Sequence, residues 1–147
     1  MINIYVEGGS SQHIEPLAKI LSDLSDYSGD IEARVISGEE VKQLNKDYAG
    51  NDYSTDVLSF SNLETNGYLP EGSSVLGQVF ISKDHISSQA KASGTDKETE
   101  FILLLLHGCL HILKYDHAKE SDRFRMNQLQ AKIMSSMGLK YRDFNWQ

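Results

Sequence analysis

The run Phe101-Ile-Leu-Leu-Leu-Leu106 passes into His107-Gly-Cys-Leu-His111 with no Pro and no turn signal before the first histidine. A segment apolar on every side is stable as a helix only when other elements enclose it, so the rest of the chain has to be built around this one. On such a helix His107 and His111 share a face, about 6 Å apart along the axis, and can chelate a single ion. Tyr115-Asp116 read as a turn that can return His117 to a third vertex. Three of the five histidines thus fall within 107–117, and three neutral imidazoles with one open position describe a catalytic Zn²⁺ site. The competing reading is three core histidines, at a cost of roughly 1–3 kcal/mol for each ring buried without a partner.

The spacing resembles the metzincin pattern H-E-x-x-H-x-x-G-x-x-H, with departures that decide the chemistry. Gly108 stands where those proteases carry the Glu that takes a proton from the attacking water, so a peptidase would lack its base. Lys114 stands at the turn-permitting Gly. If the backbone there is left-handed, Lys114 carries about 1–2 kcal/mol of strain.

A length of 147 residues predicts a single domain spanning 1–147, long enough to bury a core. The single cysteine excludes an internal disulfide and fits a reducing cytoplasm. No apolar leader follows Met1, and 101–106 is too short to span a bilayer, so a soluble protein is expected. A net charge of −7 argues against nonspecific nucleic-acid binding, yet the charge is uneven. Residues 1–113 hold 7 Lys and Arg against 17 Asp and Glu, whereas residues 114–147 hold 7 against 4. Lys114, Lys119, Arg123 and Arg125 follow the histidines and can meet phosphate, or they are an ordinary solvated helix face.

Hydropathy patterning predicts the order β-α-β-α-β-β-α-α-α, an α+β domain in which a small mixed four-stranded sheet packs against helices and the metal site lies on the core helix. Ile2–Val6 and Ile31–Ile36 read as strands. Ser10 or Ser11 caps a helix over about 12–27, and Ser37-Gly-Glu-Glu40 is a capping box for a helix to about Tyr48. Thr55–Phe60 and Val75–Ile81 form an antiparallel pair. Asp84 is expected to cap a helix over about 85–93, and Thr95-Asp-Lys-Glu98 to box the start of the histidine helix, about 96–114. A last helix, about 119–137, packs through Phe124, Leu129, Ile133 and Met134. Phe144 and Trp146 in the tail either pack back or stack on bases. Cys109 reads as a buried apolar residue.

Two acids are candidates for the chemistry. Asp56 sits in an apolar strand, where it can orient a ligand histidine, receive a proton or bond neighbouring backbone. Glu100, two turns before His107 and on its side of the helix, can hold an imidazole's second nitrogen or act as a base; otherwise it is a partly exposed first-turn acid favoured by the helix dipole. His13 and His85 read as a surface residue and a helix-start residue, although His85 can approach the metal.

The block H-G-x-L-H-x-L-x-Y-D-H, preceded by Glu100 and, far upstream, by Leu44-Asn45…Tyr48 and Thr55-Asp-Val-Leu-Ser-Phe60, resembles the YbeY family of bacterial ribosomal RNA maturation endoribonucleases. The resemblance covers nearly the whole chain. It implies a zinc-dependent, single-strand-specific endoribonuclease that trims ribosomal RNA precursors at the 3′ end of 16S rRNA, acts in ribosome quality control and binds near the small ribosomal subunit. Four positions depart from the family pattern: Ala49 replaces its Arg, Ser61 its Pro, Gln78 its Asp and Lys114 its Gly. The missing Arg is the natural phosphate clamp, and Lys114 or Arg123 can stabilise developing charge in its place. An acidic chain acting on RNA also calls for a partner, such as a ribosomal protein or GTPase, to bring it to its substrate. Ala49 and Gln78 motivate a rival reading, an assembly factor with a structural zinc site and little catalysis. A zinc peptidase ranks below both because of Gly108.

Overall fold

Alternation sets the two faces of the sheet. In Ile2-Asn-Ile-Tyr-Val6 the β-branched residues turn inward while Asn3 and Tyr5 face solvent, and the segment forms β1 (Ile2–Glu7). β2 (Gly29–Ile36) buries Ile31 and Ala33 and exposes Glu32 and Arg34. The two strands run parallel with Ile4 opposite Ile31. Parallel neighbours need a long crossover, which contains α1 (Ile14–Leu24) with Leu17 and Leu21 in the core. After α2 (Gly38–Ala49), β3 (Val57–Ser61) and β4 (Val75–Ser82) pair antiparallel, Leu58 opposite Phe80, and β4 also lies parallel to β2. The strand order is β1-β2-β4-β3, the mixed four-stranded sheet expected. Helices α3 (Lys83–Ser93), α4 (Lys97–Ile112) and α5 (Glu120–Ser136) complete the element order. The structure, a computed structural model, describes residues 1–49, 56–63, 69–115 and 119–142. No helix among the described residues is long and apolar enough to cross a membrane.

α4 is enclosed as its composition requires. Every residue from Thr99 to Leu110 is buried, against β3 and β4 on one side and against α3 and α5 elsewhere. Two glycines set how closely it lies on the sheet. A Cβ on Gly108 would sit 2.6 Å from Val79 Cγ1 and 3.3 Å from Val57 Cγ2, and a Cβ on Gly77 would sit 2.8 Å from Ile112 Cγ1. Helix and sheet thus each give up a side chain where they cross, so Gly108 has a packing reason independent of any missing base. Ser61 donates its hydroxyl to the carbonyl of Ile112 at 2.9 Å, satisfying an acceptor that the helix end leaves without an intrahelical partner.

The helix caps depart from several expectations. α1 is shorter than 12–27, because Ser11 Oγ accepts the N–H of His13 at 3.0 Å and closes a local turn before the helix starts. Ser82, not Asp84, caps α3 by accepting the N–H of His85 at 3.2 Å. Asp84 reaches across instead and accepts the N–H of Gly38 at 2.6 Å, at the N-terminus of α2, beside the Ser37–Glu40 box, which forms as read. For α4 the cap is Asp96, which accepts the N–H of Thr99 at 2.7 Å, rather than Thr95. The Thr99 side chain first, and its N–H second, hold the Asp96 carboxyl below the ordinary carboxylate range. β3 begins at Val57, directly after Asp56, and Thr55 lies outside the described residues. Phe124, expected in the core, is 63% exposed, whereas Ile133 and Met134 are buried as expected, and Met126 and Gln130 complete the buried stripe of α5.

Candidate active site

α4 carries both of its histidines to the end that abuts α5. Their rings meet edge to face with centroids 4.7 Å apart. His107 is buried and His111 half-buried. The Nδ1 of His107 lies 2.8 Å from Gln130 Oε1 on α5. Gln130 Nε2 in turn donates to the Tyr141 hydroxyl at 3.1 Å, and that hydroxyl donates to Asn127 Oδ1. The imidazole's second nitrogen is therefore held by an amide 23 residues away, not by Glu100. Cys109, between the histidines, is fully buried, and burial pushes its thiol up.

Immediately beyond His111 the helix ends in a Schellman motif. Tyr115 donates its N–H to the carbonyl of Leu110 at 2.9 Å and Lys114 to that of His111 at 3.0 Å. Lys114 takes the left-handed conformation, φ 75°, the one described residue other than glycine with positive φ. Its side chain is exposed. The left-handed backbone foreseen at this position is present, and its side chain faces solvent just beyond the helix end.

The two candidate acids share a second polar cluster. Glu100 is 1% exposed, against the partly exposed first-turn acid considered above, and both its oxygens accept hydrogen bonds from Arg142. This pairing holds the Arg142 guanidinium above its ordinary value. Asp56 immediately precedes β3, and its main-chain carbonyl accepts the N–H of Ser82. Its carboxylate also faces His85, Oδ1 to Nε2 3.6 Å, while His85 Nδ1 lies 2.9 Å from Ser82 Oγ. Burial pushes the Asp56 carboxyl up, opposed by the charges of His85 and Arg142 and reinforced by that of Glu100. His13, read as a surface residue, is largely buried and pairs with Glu98 on α4 at 3.0 Å.

Gln130, Tyr141 and Arg142 escaped the sequence reading. Gln130 had one signal: it is the polar member of an apolar stripe on α5, and a buried amide requires partners. The other two lie beyond the last helix and had none.

His117, the expected third ligand, lies outside the described residues, as do Phe144 and Trp146 of the tail. Among the described residues no group of three His, Cys, Asp or Glu side chains converges for a metal ion. The donor set that is described fits zinc. An imidazole hydrogen-bonded through Nδ1 ligates through Nε2, with a carbonyl-type acceptor behind it, which is the usual arrangement of a zinc-bound histidine. A second imidazole one helical turn away is spaced for the same ion.

A family model described as Endoribonuclease YbeY matches residues 10–138. Among relatives so named, that of Bacillus pumilus (strain SAFR-032) is 34% identical, with 95% of this chain and 96% of the relative aligned. That of Sulfurihydrogenibium sp. (strain YO3AOP1) is 39% identical over 81% of this chain and 77% of its own length. The solution structure of a Thermotoga maritima protein superposes with a TM-score of 0.61 over 94% of this chain and 92% of the other, at 23% identity, a likeness of fold.

Proposed function

The chain belongs to the endoribonuclease YbeY family, and on that premise we propose that it is a zinc-dependent, single-strand-specific endoribonuclease of ribosomal RNA maturation, acting at the 3′ end of 16S rRNA and in ribosome quality control. The observation that carries the zinc part is the His107–His111 pair on one buried helix, with the Nδ1 of His107 held by Gln130. His107, His111 and His117 would hold one Zn²⁺. When bound, the ion supplies Lewis-acid polarisation of a phosphoryl oxygen and activation of water.

The remaining work falls to the chain itself. Gln130 orients an imidazole and α4 excludes water behind it. Asp56 is our choice for the group that moves a proton, since a carboxyl raised by burial is nearer the pKa that general acid–base transfer needs. Glu100, held on both oxygens by Arg142, serves in this reading to place that guanidinium beside Asp56. Lys114 or Arg123 takes the place of the family's Arg toward phosphate. With a net charge of −7, the protein is brought to the small ribosomal subunit by a partner such as a ribosomal protein or GTPase, in the cytoplasm.

The test is cleavage of precursor ribosomal RNA by purified protein of measured zinc content, beside His111→Ala. Zinc-loaded protein should cut single-stranded precursor and the variant should not. Fully loaded, nuclease-free protein that leaves the precursor intact overturns the proposal. The rival reading, an assembly factor with a structural zinc, is favoured by the exposed Gln78 on β4 in place of the family's Asp; normal rRNA processing in cells carrying folded His111→Ala would select it.

A further inference from the structure

We propose that Gln130 is a positioning residue for His107, and that the chain Asn127–Tyr141–Gln130 decides which ring nitrogen of His107 carries its proton. The consequence for metal binding rests on the zinc reading above; the tautomer assignment does not.

A neutral imidazole has one donating and one accepting nitrogen, and only the accepting one can ligate. A carboxamide is equally two-ended. Gln130 is fully buried, its oxygen 2.8 Å from His107 Nδ1 and its nitrogen 3.1 Å from the Tyr141 hydroxyl. That hydroxyl has one proton, and Asn127 Oδ1 accepts it. Toward Gln130 the phenol oxygen can then only accept, so the amide turns its N–H₂ to Tyr141 and its oxygen to His107. Nδ1 must therefore bear the ring proton, and the lone pair falls on Nε2. Run in reverse, the same three side chains would present N–H₂ to Nδ1 and leave the proton on Nε2, the form an unconstrained histidine favours in water. The direction is set by Asn127 presenting Oδ1 to the hydroxyl, and the residue next to Tyr141 is anchored, Arg142 on buried Glu100.

The experiment uses the full chain, labelled with ¹⁵N-histidine and stripped of metal, with the His107 ring assigned by its loss in His107→Gln. Two-bond ¹H–¹⁵N correlation reads the tautomer, and competition with a chromophoric chelator reads Zn²⁺ affinity. The parent protein is expected in the Nδ1–H form. Gln130→Leu should lose that preference and bind Zn²⁺ about 10–100-fold more weakly. Asn127→Asp, an acceptor only, should keep both. Tyr141→Phe, which removes one oxygen without disturbing packing, should move the ring toward a mixture and carries the test if Gln130→Leu does not fold. A parent ring in the Nε2–H form, or an unchanged tautomer in Gln130→Leu or Tyr141→Phe, overturns the proposal. The expected tautomer shifts in a protein that binds no Zn²⁺ would uphold the positioning role and remove the zinc reading instead.

Discussion

Gly108 and Val79 are packed so closely that a Cβ on the glycine would lie 2.6 Å from Val79 Cγ1. Gly108→Ala gains up to about 1 kcal/mol in helix propensity and meets overpacking of roughly 1–3 kcal/mol. The contact is between side chain and sheet in a fully buried layer, so the second effect should win by about 1 kcal/mol in urea denaturation. Val79→Ala in the Gly108→Ala background should return part of the loss. A single variant as stable as the parent would mean that α4 can lift from the sheet freely.

At Lys114 a different trade is expected. Glycine at this left-handed position relieves about 1–2 kcal/mol of strain and gives back roughly 0.5–1 kcal/mol through the freedom of the unfolded chain. Lys114→Gly should therefore raise stability by about 0.5–1 kcal/mol, read from the denaturation midpoint. If the stabilised variant also cuts RNA more slowly, the ammonium takes part in the reaction; a lower midpoint would refute the strain argument.

Arg142 and Glu100 form a pair whose acid is almost wholly out of water. Removing one partner of such a pair leaves an uncompensated buried charge, so Arg142→Met should cost on the order of 3 kcal/mol. Combining it with Glu100→Gln should recover most of that. A double-mutant cycle with no coupling would show that the two side chains act independently.

Asp56 gives a pH dependence of definite sign. Its folded-state pKa is raised above 3.8, mainly by burial, so the folded protein holds that proton more tightly than the unfolded chain. The associated stability is complete below 3.8 and is lost as pH rises through the raised value. Asp56→Asn should accordingly be more stable than the parent near neutral pH, and the difference should shrink as the pH falls toward that limit. A variant less stable at neutral pH would mean that His85 and Arg142 outweigh burial. Its rate profile should also lose the limb that reports this carboxyl, if Asp56 moves the proton.

How much of this was legible beforehand depends on distance along the chain. Strands and helices follow from alternation and from apolar stripes, which are local, and the order of elements and the mixed sheet match the expectation. The caps slipped by a residue or two because Ser82 and Asp84, or Thr95 and Asp96, are all competent cap residues; the path of the backbone chooses between them. His107 and His111 declared themselves by a spacing of one turn. Their surroundings did not, because Gln130 and the Arg142 partner of Glu100 come from segments that only tertiary packing brings alongside. The left-handed turn at Lys114 was visible as a conditional, through the glycine that similar patterns place there.

The helix that carries the histidines is also the one that seals β3 and β4. Because α4 spans 97–112, a nascent chain that has already emitted all four strands still lacks the helix that packs most extensively on β3 and β4. Closure must wait for the ligand-bearing segment, and with it for α5 and residues 141–142 that hold it. During synthesis, acquiring a shielded interior and acquiring the imidazole pair are thus a single late event. A truncated product, lacking the second, would also lack the first and be exposed to proteolysis.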